Sequence, residues 1–217
     1  MFDSSVTSIG DHAFEGCTYA VFPEKTMSKI ESVGEYAFRG CEKFDASMDS
    51  LTSVGKYAFY GCISLEGFTC GNLGTIPEYA YAGCVSIDNL YLFLIPSVTK
   101  IGERAFEGCS KLDAVILSDN VVSVGGYAFA GCEEALRYVY VGSGIEQIYD
   151  TSFGKMTFWV NDNPITNPMD MRGKNFVRNT EVDQRMDYYE SSGDLEWFVD
   201  ENVLYIYGQG DMGAYTQ

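Results

Sequence analysis

The sequence predicts a repeat solenoid of the α/β type, in which short helical or 3-10 turns on a convex side alternate with short parallel strands on a concave side. The first observation behind this prediction is a motif of the form S-V-G-x-Y-A-F-x-G-C, which occurs in six related copies. Each copy ends in a cysteine, at Cys17, Cys41, Cys62, Cys84, Cys109 and Cys132. The intervals are 24, 21, 22, 25 and 23 residues, and a period in this range is typical of stacked repeats.

The second observation is a strand pattern that follows some of these cysteines. Residues 112–120 match L-x-x-L-x-L-x-x-N, the strand segment of a leucine-rich repeat. Segments 65–70, 87–92 and, with one inserted residue, 136–141 are similar. Alternation along a strand buries every second residue and turns the others to the concave solvent face. The segment 44–49 instead places Ser47 and Asp49 at inward positions, which predicts irregular early coils.

The convex half of each repeat is expected to supply much of the core. An apolar residue precedes an Ala-Phe pair by four positions, and this spacing favours a short helical turn that faces inward. The aromatic residues of the motif should stack in one column, formed by Phe14, Phe38, Phe59, Tyr81, Phe106 and Phe129. Truncation of one of them to alanine is expected to cost about 3–5 kcal/mol.

Two glycine columns require different explanations. The glycine before each cysteine follows the predicted helical turn, where a residue with positive φ is expected. The other column consists of Gly10, Gly34, Gly55, Pro77, Gly102 and Gly125. Proline restricts φ to about −65°, so positive φ is not the shared requirement there. Close packing or a tight bend explains this second column better.

The six motif cysteines are interpreted as a column of buried free thiols that act as small apolar residues. Neighbouring coils lie about 4.8 Å apart, whereas the Cβ atoms of a disulfide lie about 3.8 Å apart. Paired disulfides or a metal site are the alternatives. The seventh cysteine, Cys70, falls on an inward strand position and is also assigned to the core.

The chain divides into three parts. Residues 1–160 form the solenoid, and its degenerate seventh copy at 145–156 lacks the motif's Gly and Cys, as expected for a cap. Residues 161–191 begin with an Asn-, Asp- and Pro-rich stretch and are interpreted as a linker. Residues 192–217 alternate through Leu195, Trp197 and Val199 before a turn at 200–202, which predicts a β-hairpin of a truncated module. Because the sequence begins in the middle of a repeat, we expect the chain to be a fragment of a longer protein.

Charge and hydropathy exclude several functions. With 14 Lys and Arg against 31 Asp and Glu, the net charge is −17, which would repel nucleic acids and anionic lipids. The longest strongly apolar run, 90–96, is too short to insert into a membrane. No spaced set of Asp and Asn ligands indicates a metal site, and we expect no cofactor.

Nothing in the sequence indicates an enzyme. The one histidine, His12, occupies a convex column whose other members are Tyr36, Tyr57, Tyr79, Arg104 and Tyr127. Membership of this column predicts packing between neighbouring turns rather than a general base. No nucleophile, base and orienting group converge, so we assign no catalytic residue.

The concave face offers a candidate binding surface. Its predicted solvent-facing positions form an aromatic and apolar stripe across adjacent coils, made of Tyr91, Phe93, Ile116, Tyr138 and Tyr140. Solenoids bind through concave surfaces, and tyrosine is enriched at interface hot spots. Alternatively, these bulky residues only support the strands. An exposed first coil also favours a homodimer through uncapped ends.

The repeat S-x-I-G-x-x-A-F-x-G-C-x-x-L-x-x-V-x-L over about residues 5–160 resembles the BspA-like (Treponema pallidum-type) leucine-rich repeat. A C-terminal segment is similar to the G-D-x-x-W…L-x-I-x-G-x-G-x-M module of gut Firmicutes surface proteins, through Gly193, Asp194, Trp197, Asp200, Leu204, Ile206, Gly208, Gly210 and Met212. The resemblance implies a non-enzymatic, cell-surface and extracellular recognition or adhesion module for a protein or glycan ligand. The alternative is a purely structural spacer.

Overall fold

The computed structural model describes residues 5–22, 27–67, 72–92, 95–160, 163–178, 185–188, 196–200 and 203–207. Each sequence repeat forms one coil of a parallel β-solenoid, and equivalent residues of successive coils lie in register. The repeat solenoid predicted from the cysteine period is therefore confirmed.

One set of strands lies at the start of the motifs. Its members have two residues each and are β1 (Ser8–Ile9), β2 (Ser32–Val33), β3 (Ser53–Val54), β4 (Thr75–Ile76), β6 (Lys100–Ile101), β8 (Ser123–Val124) and β10 (Gln147–Ile148). They form two parallel sheets, ordered β1-β2-β3 and β10-β8-β6-β4. The second residue of every strand is buried, which places the β-branched column of the motif in the core.

The second set of strands forms the concave face. It consists of β5 (Asn89–Tyr91), β7 (Ala114–Ile116) and β9 (Tyr138–Val141), which pair in parallel. Leu90, Val115 and Val139 share one register position and are buried. These are inward positions of the predicted leucine-rich-repeat strand, so that pattern is also confirmed.

The sheet of the concave face continues into the C-terminal part of the chain. The added strands are β11 (Thr157–Val160), β12 (Asn163–Pro164), β13 (Lys174–Arg178) and β14 (Arg185–Tyr188), and a 3-10 helix covers Pro168–Met171. The strand order of the whole sheet is β12-β11-β14-β13-β9-β7-β5. Because β12, β13 and β14 pair within this sheet, the interpretation of residues 161–191 as a linker is wrong for these three strands.

The expectation of helical turns on the convex side is wrong. In the first coil, Ala13 N donates to Gly10 O over 3.3 Å and Cys17 N donates to Phe14 O over 3.0 Å, so the segment is a series of tight turns. His12 and Gly16 occupy the third position of these turns with φ of 56° and 72°. A positive φ at that position is typical of a type II turn, and it breaks the helical conformation that the apolar spacing suggested.

Backbone hydrogen bonds link each convex segment to the next coil. Between the first two coils, His12 N donates to Glu35 O over 2.9 Å, and Phe14 N donates to Ala37 O over 2.8 Å. The same two bonds recur in later coils, for example from Phe59 N to Ala80 O over 2.8 Å. The convex side is therefore held by a ladder between coils, in place of hydrogen bonds within a helix.

The aromatic column forms the centre of the core, as predicted. Neighbouring rings along Phe14, Phe38, Phe59, Tyr81, Phe106, Phe129 and Phe153 are stacked with centroids 5.1–5.7 Å apart. The rings from Phe38 to Phe153 are buried, whereas Phe14 is only partly buried. Phe14 lies in the first described coil.

The early coils follow a different register from the predicted one. The segment 42–48 has no strand, which agrees with the irregularity expected there. Ala46 and Met48 are buried, whereas Ser47 is half-buried and Asp49 is exposed. The inward positions are thus shifted by one residue, which turns the polar side chains away from the core.

The C-terminal hairpin is confirmed. Strands β15 (Glu196–Asp200) and β16 (Val203–Tyr207) pair antiparallel, with Trp197 opposite Ile206 and Val199 opposite Leu204. The positions that alternate in the sequence are therefore paired across the hairpin.

Candidate functional site

The candidate site is the outward face of β5, β7 and β9. Parallel pairing places Tyr91, Ile116 and Tyr140 in one row across the three strands, and it places Asn89, Ala114 and Tyr138 in the neighbouring row. Adjacent strands lie about 4.8 Å apart, so each row brings side chains from three coils into contact range. The register thus places four residues of the predicted stripe, Tyr91, Ile116, Tyr138 and Tyr140, on neighbouring strands of one sheet.

The exposure predicted for this stripe is wrong at its centre. Ala114 is 1% and Ile116 is 8% exposed, so both are buried. Tyr91, Tyr138 and Tyr140 are half-buried. The reason is that the middle strand carries the smaller residues and is flanked on both sides by larger ones. The accessible surface therefore consists mainly of tyrosine rings. Phe93 and the core position Cys70 lie outside the described residues.

Tyr140 is fixed by Asp119, which follows β7. The Tyr140 hydroxyl donates to Asp119 Oδ1 over 3.0 Å, and Ser143 N donates to the same oxygen over 2.7 Å. These bonds, led by the one from the Ser143 amide, lower the pKa of Asp119. Burial, followed by the Asp119 hydrogen bond, raises the pKa of Tyr140 to about 12. At neutral pH the pair is thus a carboxylate and a neutral phenol.

Tyr91 lies at the opposite edge of the row, on β5. Burial raises its pKa to about 12, and the charges of Asp113 and Asp88 add to this shift. Arg137, which precedes β9, donates to Asp113 through Nε and, over 3.0 Å, through a terminal nitrogen. This two-point contact is typical of a guanidinium and a carboxylate. It raises the pKa of Arg137.

The cysteine column is free of disulfides at all six motif positions, as predicted. Five of its members are buried, but Cys17 is exposed, which corrects its assignment to the core. Cys17 lies in the first described coil. The motif cysteines also hydrogen-bond between coils, which their interpretation as apolar residues did not predict. Cys41 Sγ donates to Phe14 O over 3.0 Å, and Cys84 Sγ donates to Phe59 O over 3.1 Å.

The convex column around His12 forms a second ordered surface. The rings of His12, Tyr36, Tyr57 and Tyr79 are stacked at 4.6–4.9 Å. The Arg104 guanidinium continues the stack, 5.8 Å from the Tyr79 ring centroid and 4.6 Å from that of Tyr127. The predicted packing between neighbouring turns is therefore confirmed. All six residues have φ between 55° and 58°, which the sequence did not reveal.

The described part of the chain contains no group of three or more His, Cys, Asp or Glu side chains that could hold a metal ion. A cavity of about 10 Å³ beside Phe44, Met48 and Phe59 has room for about one water molecule, far below the several hundred Å³ of a ligand pocket. Within the described residues, no helix has the length and apolar character needed to cross a bilayer.

A comparison with known protein families identifies the family of the chain. The model of the BspA-type leucine-rich repeat region matches in six copies, over residues 1–92 and 31–159. The chain belongs to the BspA-type leucine-rich repeat family. The family model thus covers most of the predicted solenoid.

Three solved structures are similar. The Treponema pallidum leucine-rich repeat protein TpLRR is 29% identical, with a TM-score of 0.54 and coverage of 62% of each chain. A leucine-rich cell surface protein from Faecalibacterium prausnitzii is 23% identical, with a TM-score of 0.45 and coverage of 70% of this chain and 35% of that one. A leucine-rich repeat protein from Bacteroides ovatus is 18% identical, with a TM-score of 0.40 and coverage of 73% of this chain and 54% of that one. The chain thus spans less than two thirds of each. No protein with a curated function matches the chain.

Proposed function

We propose that this BspA-type solenoid is a cell-surface recognition module that binds a protein ligand through its concave face. The observation that carries the proposal is the row of Tyr91, Ile116 and Tyr140, with Tyr138 in the neighbouring row, which parallel pairing assembles from three coils. Tyrosine combines a large apolar ring with a polar end and loses little conformational freedom on binding. An ordered tyrosine surface on a rigid sheet is therefore suited to protein contacts.

The rigidity of the site supports the same proposal. Tyr140 is held by Asp119, and Asp113 is held by Arg137. Side chains that are already fixed lose less entropy when a partner binds. The expected cell-surface location is supported by the family and by the description of the F. prausnitzii protein as a cell surface protein.

The test is binding of the wild-type chain and of a Tyr91→Ala, Tyr140→Ala variant to immobilised extracellular matrix proteins and mucin. We expect one of these surfaces to retain the wild-type chain and the double variant to bind at least about tenfold more weakly, because two hot-spot tyrosines are removed. The matched control is Tyr149→Ala, an exposed tyrosine that follows β10 in the other sheet. Equal binding by all three chains would contradict the proposal.

A structural spacer is the second candidate, and the burial of Ala114 and Ile116 favours it. In a spacer the tyrosines only cover the small residues of the middle strand. The spacer predicts that the wild-type chain binds none of the immobilised ligands and that the double variant loses thermal stability instead.

A further inference from the structure

Three consecutive coils place a tyrosine at the same position of the convex column, and we call Tyr36, Tyr57 and Tyr79 the tyrosine stack. The ring centroids of Tyr36 and Tyr57 are 4.8 Å apart with an interplanar angle of 4°, and those of Tyr57 and Tyr79 are 4.6 Å apart with an angle of 11°. The backbone holds this arrangement, because Tyr36 N donates to Lys56 O over 3.0 Å and Tyr57 N donates to Glu78 O over 3.3 Å. Two pairs of phenol rings are therefore held face to face.

The tyrosine stack lies at the surface of the chain. Its three side chains are half-buried. Burial, followed by the nearby Tyr79 and Glu78, raises the pKa of Tyr57, so the phenol is protonated at neutral pH. Tyr60 lies beside the stack and is 38% exposed, and its ring is 5.9 Å from that of Tyr57 but tilted by 45°. The stack is thus within reach of a reagent in solution and has a more exposed tyrosine next to it that is not stacked.

Stacked phenols are arranged for oxidative coupling. A one-electron oxidant takes an electron from a phenol, the hydroxyl proton passes to water, and a phenoxyl radical remains. The unpaired electron occupies the π system, whose lobes project from the two faces of the ring. A second ring that already lies against one of these faces is therefore placed for bond formation. Holding the two rings together also replaces a bimolecular encounter by an intramolecular step.

We propose that Tyr57 is a site of oxidative cross-linking, at which its ring couples with that of Tyr36 or Tyr79 to form a dityrosine between neighbouring coils. The oxidant is a haem peroxidase with hydrogen peroxide. Two phenols each lose one electron and one proton, and a carbon–carbon bond forms between the ring positions next to their hydroxyl groups. The hydrogens at these two positions then move to the oxygens and restore both hydroxyl groups. In sum, two hydrogen atoms leave the protein and reduce one hydrogen peroxide to two water molecules.

The cross-link joins two coils by a covalent bond. In the described part of the chain, successive coils are otherwise linked by hydrogen bonds and side-chain packing, and the six motif cysteines form no disulfide. A covalent link between coils also restricts the unfolded chain, as a disulfide does. Oxidation at Tyr57 therefore reinforces the solenoid.

The experiment treats the dilute wild-type chain with a haem peroxidase and hydrogen peroxide and isolates the monomer on a denaturing gel. Digestion with trypsin and a glutamate-specific protease releases the fragments 36–39, 57–66 and 79–100, each of which begins with one tyrosine of the stack. We expect mass spectrometry to find fragment 57–66 joined to 36–39 or to 79–100, with the loss of two hydrogen atoms. Absence of both links from the monomer would overturn the proposal.

Two variants separate the effect of stacking from that of exposure. Tyr57→Phe keeps an aromatic ring in the stack but has no phenol to oxidise, and both links should be lost. Tyr60→Phe is the matched control, because Tyr60 lies in the same fragment and is exposed but tilted. It should keep both links. Links that persist in Tyr57→Phe, or that disappear in Tyr60→Phe, would show that exposure selects the tyrosine and would overturn the proposal.

Discussion

Cys62 donates a hydrogen bond from its thiol to the backbone carbonyl of Phe38, one coil earlier, over 3.2 Å. The same carbonyl accepts the backbone N–H of Cys41 over 2.9 Å. One carbonyl therefore closes the turn of its own coil and binds the thiol of the next. The thiols of Cys41, Cys84, Cys109 and Cys132 make the equivalent contact. The cysteine of the motif thus links coils without any covalent bond.

We expect Cys62→Ala to lower the free energy of unfolding by about 1–2 kcal/mol, because it removes a buried hydrogen bond and leaves a small cavity. Urea unfolding measures this difference. Cys17→Ala is the matched control, because Cys17 is exposed, and its effect should stay within about 0.5 kcal/mol. Equal free energies of unfolding for the two variants would show that the thiol hydrogen bond between coils contributes nothing to stability.

The buried thiols also predict a loss of stability at alkaline pH. Burial raises the pKa of Cys41 to about 11 and raises that of Cys62, Cys84, Cys109 and Cys132. In the unfolded chain a thiol titrates at about 8.5. Above that pH the unfolded state binds fewer protons than the native state, so stability falls as pH rises.

Each such thiol should contribute a slope of about −1.4 kcal/mol per pH unit between its unfolded and folded pKa values. Urea unfolding from neutral pH to about pH 10.5 measures the slope. The double variant Cys41→Ala, Cys62→Ala should have a shallower slope than the wild-type chain. A free energy of unfolding that stays constant across this pH range would contradict the conclusion that these thiols are buried and protonated.

The columns of this fold could be predicted because every coil repeats the same environment. Residues equivalent to Phe59 and Cys62 recur in each repeat, and this recurrence is enough to predict that equivalent residues of neighbouring coils stack on one another. The glycine before each cysteine has the predicted positive φ, for example 73° at Gly61. The sequence did not predict the conformation of the convex segments. Their apolar spacing fits a helix, whereas His12 and its equivalents adopt a positive φ that is uncommon for such residues.

The candidate site was predicted less well because exposure depends on neighbours in other coils. Alternation along β7 turns Ile116 outward, but the burial of Ile116 depends on Tyr91 and Tyr140, which are 25 and 24 residues away. The hydrogen bond from Tyr140 to Asp119 likewise joins two coils. Such contacts between coils follow from the register in which the strands pair, and the sequence of a single repeat does not reveal that register.

The second glycine column predicts a position-dependent effect of alanine. A Cβ atom on Gly55 would lie 2.4 Å from Glu35 N and 2.5 Å from Gly34 C, whereas one on Gly10 would meet nothing within 4 Å. This confirms the close packing expected for the column. Backbone atoms cannot move aside as flexible side chains do, so Gly55→Ala should destabilise the chain by about 2–3 kcal/mol.

Gly10→Ala is the matched control, since Gly10 holds the same motif position and also lacks a positive φ. It should be neutral or stabilising by up to about 1 kcal/mol, because alanine restricts the unfolded chain. Thermal unfolding of the two variants measures the contrast. A neutral Gly55→Ala would mean that neighbouring coils are not in close backbone contact.

The stacked convex column predicts an unusual order of stability for the alanine and glycine variants of Tyr57. Its φ of 57° lies in the left-handed region, which costs about 1–2 kcal/mol for a residue with a Cβ atom. Its ring is stacked on those of Tyr36 and Tyr79 at 4.8 and 4.6 Å, and each such contact is worth about 0.5–1.5 kcal/mol. The stacking thus offsets the backbone strain.

Both Tyr57→Ala and Tyr57→Gly lose the stacking, but only glycine also removes the strain. We therefore expect the glycine variant to be about 1 kcal/mol more stable than the alanine variant, with both below the wild-type chain. Tyr60 is the control position, because its φ is not positive, and there alanine should be the more stable of the two. Urea unfolding of the four variants gives both differences. The same order of stability at both positions would show that the left-handed backbone at Tyr57 is not required by the packing of the coils.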